Sequence, residues 1–190
     1  MEYSITDLKK GVLVEVGGKP YRVIDYAHSS MGRGGAVART KLKNLQNGSM
    51  LSKTFKGNEK ITAVSSTTIE AQYLYLDNDS AHFLRLDDYD QVSLAREVIN
   101  DRDKYLKEDL EVSLLYIGDK LVDIELPIKV KYQVVESEPN IKGDSAGSIS
   151  KGCVLETGLR IQVPLFIEKG DQLLIDTRNG SYVERLKKSS

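Results

Sequence analysis

The sequence predicts an all-β protein, and three observations lead to this fold class. Short runs rich in β-branched and aromatic residues recur along the chain, separated by clusters of turn-forming residues at intervals of roughly 8–12 residues. Asn179-Gly180 is a strong signal for a two-residue hairpin turn. Apolar residues show only a partial helical spacing, within Ser93–Leu106, where we expect one or two short helical turns.

Residues 1–64 form the first predicted β unit. Ser4–Leu8 opens it as a capped turn, because serine is a favoured residue at the start of a helical turn. Four strands are expected to follow: Gly11–Val16, Tyr21–Tyr26, Val37–Leu45 and Met50–Phe55. Short strands at this spacing are typical of a small barrel or a sandwich, and we expect the unit to close near Val64.

The polar segment Ser65–Thr68 marks the first predicted boundary, and residues 65–128 form the second unit. Its strands are expected at Ile69–Leu76, Ala81–Leu86, Leu110–Ile117 and Leu121–Leu126. Pro127 ends the last of them, since proline cannot donate to a strand ladder.

Residues 129–190 form the third unit, with strands expected at Val130–Val135, Gly158–Phe166, Asp171–Asp176 and Ser181–Glu184. A turn-rich loop is predicted at Glu138–Ser148, and the basic end Arg185–Lys188 is expected to fray. Because units of about 60 residues have small cores, we expect the three to pack on one another.

Charge is distributed unevenly along the chain, although the formal net charge is only −1. The first unit holds 11 Lys and Arg against 5 Asp and Glu, a net charge of +6. The second unit holds 6 against 15, a net of −9, and the third 10 against 8, a net of +2. A basic end attracts phosphates and an acidic middle discourages indiscriminate binding, so the pattern indicates a polyanionic partner.

Cysteine usage and hydropathy indicate the cellular compartment. The single cysteine, Cys153, excludes an internal disulfide and suits a reducing cytosol. We expect its side chain to be buried or half-buried, since the sequence offers no base to activate it. The N-terminus lacks signal-peptide character, and no apolar run approaches the roughly 18–20 residues of a membrane span. We therefore expect a cytoplasmic protein without membrane association.

The sequence contains no arrangement typical of a catalytic or metal site. His28 and His82 are far apart and have no cluster of carboxylates or cysteines beside them, so we expect no metal ion. The glycines follow neither a phosphate-binding loop nor a dinucleotide fingerprint, and no nucleophile has a base at a recognisable spacing. We expect no enzymatic activity and no cofactor.

The stretch His28–Arg39 is the main candidate for function. Gly32, Gly34 and Gly35 surround Arg33 between two strand-like runs, which predicts a hairpin carrying one long cation at its tip. The planar guanidinium stays charged and can hold phosphate through two hydrogen bonds. Taken alone, the segment also fits an ordinary surface loop with a solvated arginine.

The strand after this loop alternates in character. Arg39, Lys41 and Lys43 fall on one face of the strand, and Ala38, Thr40 and Leu42 fall on the other. A row of cations on an exposed sheet face is suited to the phosphates of a nucleic-acid backbone.

Several motifs together resemble the bacterial translation elongation factor P family. Lys151–Asp171, with the sequence KGCVLETGLRIQVPLFIEKGD, closely resembles the family's C-terminal signature. Asp176–Arg185 is similar to the family's ending. Shorter similarities occur at Lys41–Leu45, Thr54–Lys56, Glu125–Pro127, Val134–Pro139 and Lys142–Asp144. The resemblance covers essentially the whole chain.

The resemblance implies an architecture and a role. The architecture is an SH3-like KOW-type barrel at 1–64 and two OB-folds at 65–128 and 129–190, arranged in an L shape similar to a tRNA. The implied role is that of a monomeric factor that binds the 70S ribosome beside peptidyl-tRNA and stimulates peptide-bond formation at consecutive prolines.

The resemblance also assigns roles to residues. The loop formed by Met31, Gly32, Arg33, Gly34 and Gly35 would reach the CCA end of the tRNA at the peptidyl-transferase centre, with Arg33 at the position of the family's tip residue. Arg39, Lys41 and Lys43 would contact tRNA and rRNA phosphates.

The tip departs from the commonest family pattern. Many members carry Pro-Gly-Lys-Gly with a modified lysine, whereas this chain has Met31-Gly32-Arg33-Gly34. Amine-targeted modification is excluded at an arginine, and another branch of the family carries a rhamnosylated arginine. Arg33 is therefore either rhamnosylated by an arginine rhamnosyltransferase or acts unmodified.

Two other functions stay open: a paralogue with a narrower role on ribosomes, and a general single-strand nucleic-acid-binding protein.

Three minor features have alternatives as well. His28 is either structural or an RNA contact. Asp87–Asp90 is a solvated acidic face, a mimic of phosphate or a surface for a basic ribosomal protein. The ten tyrosines are expected to serve packing rather than base stacking.

Overall fold

The computed structural model describes residues 2–31, 35–139 and 150–187, with the side chains of residues 30, 31, 35 and 187 outside the description. The described chain is almost entirely β-structure, which confirms the predicted fold class. Its strands are β1 (Glu2–Tyr3), β2 (Leu13–Val16), β3 (Lys19–Met31), β4 (Gly35–Asn44), β5 (Met50–Lys56), β6 (Ile61–Thr62), β7 (Thr67–Leu76), β8 (Ser80–Arg85), β9 (Gln91–Ala95), β10 (Glu111–Ile117), β11 (Lys120–Glu125), β12 (Lys129–Ser137), β13 (Ser150–Leu155), β14 (Arg160–Pro164), β15 (Gln172–Asp176) and β16 (Ser181–Lys187).

Helical structure in the described residues is short. A 3₁₀ turn covers Ile5–Asp7, helix α1 covers Arg96–Ile99, and a second 3₁₀ segment covers Asn100–Tyr105. Ser4 caps the first turn as predicted, since its backbone N–H and its hydroxyl both donate to the Asp7 carboxylate, at 2.9 and 2.7 Å.

By its internal contacts the chain divides into two compact units. The first comprises residues 1–69, 94–98 and 114–124, and the second comprises residues 70–93, 99–113 and 125–190. The three domain bounds expected from the sequence, and their L-shaped arrangement, stay predictions.

The first unit is built on the four-stranded antiparallel sheet β2-β3-β4-β5 and the short pair β1-β6. Gly17 and Gly18 turn β2 into β3 with positive φ values of 59° and 74°, which a tight two-residue hairpin turn requires. One face of the sheet packs into a core of buried side chains: Ile5, Leu8, Val14, Tyr21, Val23, Ala38, Leu42, Phe55 and Ile61.

A second, smaller apolar cluster in the first unit joins β10 and β11 to the four-stranded sheet. Leu45, which follows β4, is buried together with Leu115 of β10 and Val122 of β11. Leu13 and Ile117 pack against these three side chains. The cluster holds the β10–β11 hairpin against the end of the sheet at which β4 finishes. The β3–β4 connection lies at the opposite end of the same sheet.

The second unit includes β7 and β8, which pair antiparallel from Ala71↔Arg85 to Leu76↔Ala81. β9 follows β8 in the sheet, and Tyr73 N–H donates to the Leu110 carbonyl at 2.8 Å just before β10 begins. The same unit contains the five-stranded antiparallel sheet β14-β13-β12-β15-β16. Its core consists of buried residues, all of which except Ile167 alternate along the strands: Val130, Tyr132, Val134, Cys153, Leu155, Ile161, Val163, Ile167, Leu173 and Ile175.

Four strands were not expected from the sequence: the two-residue strands β1 and β6, and the longer strands β9 and β13. β13 was missed because Gly152 and the inward-facing Lys151 and Cys153 hide its alternating pattern. β9 was missed because the spacing of Leu94 and Val98 resembles a helix, although Leu94 is a buried strand residue.

The expectation of a frayed C-terminal end is wrong for Arg185, Leu186 and Lys187. These residues belong to β16, which pairs Arg185 with Leu173 and Lys187 with Gln172 of β15. The backbone ladder keeps the segment extended despite its charge, and the Arg185 guanidinium lies 4.9 Å from the centre of the Phe166 ring. Lys188 and most of the predicted loop Glu138–Ser148, namely residues 140–148, lie outside the described residues.

Within the described residues, no helix is both long enough and apolar enough to span a membrane.

Candidate nucleic-acid interface

β4 presents cations on one face and buries small or apolar side chains on the other. Arg39 and Lys41 are exposed and Lys43 is partly exposed. Their neighbours Ala38, Thr40 and Leu42 are at most 4% exposed. The alternation predicted from the sequence is confirmed, and the buried face fixes the register of the cations because a slip by one residue would bury charge.

The three cations lie in the middle of a sheet face, since β4 is flanked on both sides. Across β3 the partners of Arg39 and Lys41 are Ala27 and Asp25, and across β5 they are Thr54 and Ser52. These small neighbours leave an open groove of about 350 Å³ along the strand. Successive cations are about 7 Å apart, because strand residues rise about 3.3–3.4 Å each. The arrangement can hold several phosphates of one nucleic-acid backbone in a line.

The carboxylate of Asp25 also belongs to this face. Asp25 follows a bulge in β3, at which the register shifts between Val23 and Asp25. Its Oδ1 atom accepts a hydrogen bond from the Tyr26 backbone N–H at 3.0 Å. The bulge sets Asp25 on the same face as Lys41, so a negative charge lies inside the cationic row.

A fourth cation, Arg22, occupies the next position of the row, opposite Lys43. Its side chain is only 15% exposed and forms an ion pair with Asp123 at 2.9 Å. Sequence reasoning missed this pair, since no local pattern connects two residues that are so far apart along the chain.

The tip of the hairpin is described up to its last strand pair, Met31↔Gly35. β3 and β4 therefore extend further than the sequence predicted, because the backbone ladder continues through His28, Ser29 and Ser30. Gly32, Arg33 and Gly34, which connect the two strands, lie outside the described residues. Their predicted roles stay predictions.

His28 lies on β3 close to this end. Its Nε2 atom is 3.4 Å from the Leu8 carbonyl oxygen, and its ring meets Tyr26 edge to face with centroids 5.2 Å apart. These contacts favour a structural role, while the exposure of the side chain leaves room for contact with RNA.

Cys153 and the acidic run Asp87–Asp90 belong to the second unit. Cys153 is 3% exposed, and burial raises the pKa of its thiol to about 11, so the expected buried role is confirmed. Asp87 and Asp88 are exposed and paired with Arg85, at 2.7 and 3.0 Å. Among the described residues, no group of three His, Cys, Asp or Glu side chains is placed to hold a metal ion.

The tyrosines divide between packing and exposure. Five are buried, namely Tyr21, Tyr73, Tyr105, Tyr116 and Tyr132, in agreement with the packing role predicted for them. Tyr75 and Tyr89 are exposed by 50% and 72%, and Tyr75 stacks on His82 with ring centroids 4.4 Å apart.

Comparison with protein families gives three matches along the chain. Residues 4–61 match the elongation factor P KOW-like domain, residues 67–124 match the elongation factor P OB domain, and residues 130–185 match the elongation factor P C-terminal domain. The KOW-like and OB descriptions agree with the predicted fold class.

Curated proteins named elongation factor P are similar over nearly the full length. The protein from Moorella thermoacetica is 44% identical, and the one from Thermotoga maritima is 45% identical. Each alignment covers 96% of this chain and 98% of the relative. Among solved structures, eukaryotic translation initiation factor 5A from Methanococcus jannaschii aligns with 20% identity and a TM-score of 0.47, over 65% of this chain and 95% of that chain.

The family matches and the near-complete relatives confirm the resemblance found in the sequence motifs: the chain belongs to the elongation factor P family of translation elongation factors.

Proposed function

We propose that the protein binds the 70S ribosome beside peptidyl-tRNA and stimulates peptide-bond formation, relieving stalling at consecutive prolines. The observation that carries the proposal is the row of Arg39, Lys41 and Lys43 on a hairpin that continues to the segment containing Arg33. Family membership supports a role in translation elongation.

The cationic row would anchor the protein on RNA. Phosphate contacts fix register and orientation without reading sequence, which suits a factor that must act on many different peptidyl-tRNAs. Because the three cations project from one rigid strand between two others, binding them to tRNA or rRNA phosphates would also fix the direction of the β3–β4 hairpin.

The tip would act by positioning. Proline reacts slowly because its ring restricts the geometry of attack, and holding the CCA end in a reactive arrangement lowers the entropic part of the barrier. Arg33 would supply the cation for this step, with Met31, Gly32, Gly34 and Gly35 letting the backbone approach the RNA closely. The protein would form no covalent bond with the substrate, so it would not be an enzyme, and it would act as a cytoplasmic monomer without a cofactor.

Within this proposal, Arg33 is either rhamnosylated or unmodified. Rhamnosylation by a dedicated transferase would extend the side chain and add hydroxyl groups for hydrogen bonding. An unmodified Arg33 would act through its guanidinium alone. Mass spectrometry of the Arg33 peptide from the native host distinguishes them, since rhamnosylation adds one deoxyhexose.

The function is tested with a purified translation system that synthesises a peptide containing consecutive prolines. The wild-type protein should accelerate the slow peptide bonds and leave proline-free synthesis unchanged. Arg33→Ala should remove most of the stimulation while the protein still pellets with ribosomes. Arg160→Ala, which removes an exposed arginine from β14, is the matched control and should behave as wild type.

Other results would contradict the proposal. Full stimulation by Arg33→Ala would exclude the positioning role of the tip. No stimulation by the wild-type protein, together with ribosome binding, would indicate a paralogue with a narrower role. Tight binding to free single strands without ribosomes would indicate a general nucleic-acid-binding protein.

A further inference from the structure

A buried ion pair connects the cation-bearing sheet to the β10–β11 hairpin within the first unit. Arg22 Nη1 lies 2.9 Å from Asp123 Oδ2, with side chains 15% and 4% exposed. The other carboxylate oxygen of Asp123 accepts the Ile124 backbone N–H at 2.9 Å. Both oxygens of Asp123 therefore have a defined donor, and the direction of the carboxylate is fixed.

The pair lies at the end of the cationic row. Arg22 is opposite Lys43 in the β3–β4 ladder, so by register it would be the fourth cation on that face. Asp123 instead holds the Arg22 guanidinium away from solvent, and the exposed row of cations ends at Lys43. Arg22 is thus placed to fix the sheet rather than to contact RNA.

The apolar contacts beside the pair stabilise the junction but do not define one orientation of the two hairpins. Leu45, Leu115 and Val122 form a small buried cluster at the same junction, with Leu13 and Ile117 packed against it. Hydrophobic burial is non-directional, so such a cluster can hold the β10–β11 hairpin in place while tolerating small rotations.

An ion pair behaves differently. Its two charges lose hydration on burial, so replacing both with apolar side chains is often neutral for stability. A bond between a planar guanidinium and a fixed carboxylate is, however, strict in distance and angle. The pair is therefore better suited to defining one orientation than to adding stability.

We propose that Arg22 and Asp123 are positioning residues that fix the orientation of the β3–β4 hairpin relative to the β10–β11 hairpin. The consequence for activity rests on the proposed function: the end of β3–β4 that carries Arg33 is aimed by this junction. A small rotation at the base of a 13-residue strand is amplified into a displacement at its far end. The inference about orientation itself does not require the ribosome.

The experiment measures orientation directly by pulsed electron spin resonance. Nitroxide labels are placed at two exposed positions, Ala27→Cys on β3 and Asp119→Cys in the β10–β11 turn, in a Cys153→Ser background that removes the native thiol. The width of the distance distribution reports how well the two hairpins are fixed.

Three variants separate positioning from stability. The apolar double variant Arg22→Met with Asp123→Leu should melt within a few degrees of wild type but give a clearly broader distance distribution. The exchange variant Arg22→Asp with Asp123→Arg restores opposite charges and should narrow the distribution again, at least in part. Arg22→Met alone leaves a buried carboxylate and is expected to lower the melting temperature.

The same variants, without labels, are then assayed for translation through consecutive prolines. We expect the stimulation by the apolar double variant to be about five- to tenfold lower than that by wild type. The exchange variant should recover part of this loss. The positioning role is excluded if the apolar double variant is as stable as wild type and also keeps full stimulation. It is equally excluded if the spin-label distance distribution of that variant is as narrow as in wild type. A reduced salt dependence of tRNA binding in the apolar variant would instead identify Arg22 as a phosphate contact and overturn the inference.

Failure of the proposed function has a separate signature. If the wild-type protein does not stimulate proline synthesis, the proposed function is wrong, while the spin-label distances still decide whether the pair fixes the hairpins. A broadened distribution supports the inference in that case, and an unchanged one overturns it.

Discussion

Asp25 lies directly opposite Lys41 in the ladder between β3 and β4, so an acidic side chain occupies the centre of the cation-bearing face. Residues directly opposite each other on antiparallel strands share one face of the sheet, and their side chains are close. Asp25 therefore reduces the positive potential where phosphate binding is proposed. A weaker field limits attachment to unrelated RNA, since non-specific binding is mostly electrostatic.

The first prediction concerns this carboxylate. Asp25→Asn keeps the shape and the acceptor for the Tyr26 N–H but removes the negative charge. We expect affinity for free tRNA and for unrelated RNA to rise by a few-fold at low salt, with the gain disappearing near 0.5 M salt because of screening. Filter binding at several salt concentrations measures this. A decrease in affinity would mean that the carboxylate itself receives a hydrogen bond from RNA.

The second prediction concerns the cationic row. Lys41→Ala should weaken binding to tRNA and reduce the slope of log affinity against log salt by about one, as expected for the loss of one phosphate contact. Lys60→Ala is the matched control, because Lys60 is also exposed and lies in the same unit but pairs with Glu2 away from the row. Equal slopes for the two variants would show that position in the row does not matter.

The third prediction concerns acid stability. The hydrogen bond with His82 lowers the pKa of Asp77 from 3.8 to about 2, and hydrogen bonds from Arg178 lower that of Asp176 to about 2. Since both values in the folded protein lie below the unfolded value, their stabilising contribution is complete above about pH 4 and is lost as the pH falls toward 2.

Thermal melts at pH 5, 4, 3 and 2 measure this effect. The double variant Asp77→Asn with Asp176→Asn should be less stable than wild type at pH 5, and the difference should shrink as the pH approaches 2. A difference that stays constant over this range would mean that the two carboxylates do not lose these interactions on protonation.

The fourth prediction concerns Cys153. Burial both blocks access to the thiol and raises its pKa to about 11, which leaves little thiolate at pH 8. Alkylation of the native protein should be at least about 100-fold slower than in denaturant, where the thiol pKa returns to about 8.5. Mass spectrometry of the Cys153 peptide follows the reaction. Similar rates in both conditions would indicate that the β12–β13 region opens readily.

Local patterns were sufficient for much of the fold. The turn signal Asn179-Gly180 acts over two residues, and alternation along β4 reports directly which face is buried. Failures occurred where tertiary contacts overrode local character. Lys151 is buried within β13, and Arg185 is held in β16 by its ladder with β15, although the basic character of the segment predicted a frayed end.

The candidate site shows the same division. The exposed positions of Arg39, Lys41 and Lys43 followed from period-two alternation, because their buried neighbours are apolar or small. The opposition of Asp25 and Lys41 depends on a bulge in β3, and the Arg22–Asp123 pair depends on contacts between distant parts of the chain. Neither depends on a pattern within one strand, so neither could be predicted from the sequence.

The last prediction concerns Gly180 in the β15–β16 turn. Its φ of 72° lies in the left-handed region, which strains the backbone of any residue other than glycine. A Cβ atom at this position would also lie 2.9 Å from the Tyr105 hydroxyl oxygen. Gly118 in the β10–β11 turn has a similar φ of 58° with no atom within 4 Å of the added Cβ. The two glycines therefore separate backbone strain from a steric clash.

Gly118→Ala should reduce the free energy of unfolding by about 1–2 kcal/mol through strain alone. Gly180→Ala should cost more, because Tyr105 is buried and its ring has little room to move aside. In a Tyr105→Phe background, which removes the clashing oxygen, the cost of Gly180→Ala should fall to that of Gly118→Ala. Urea denaturation gives these free energies, and an unchanged cost in the phenylalanine background would show that the hydroxyl does not restrict this turn.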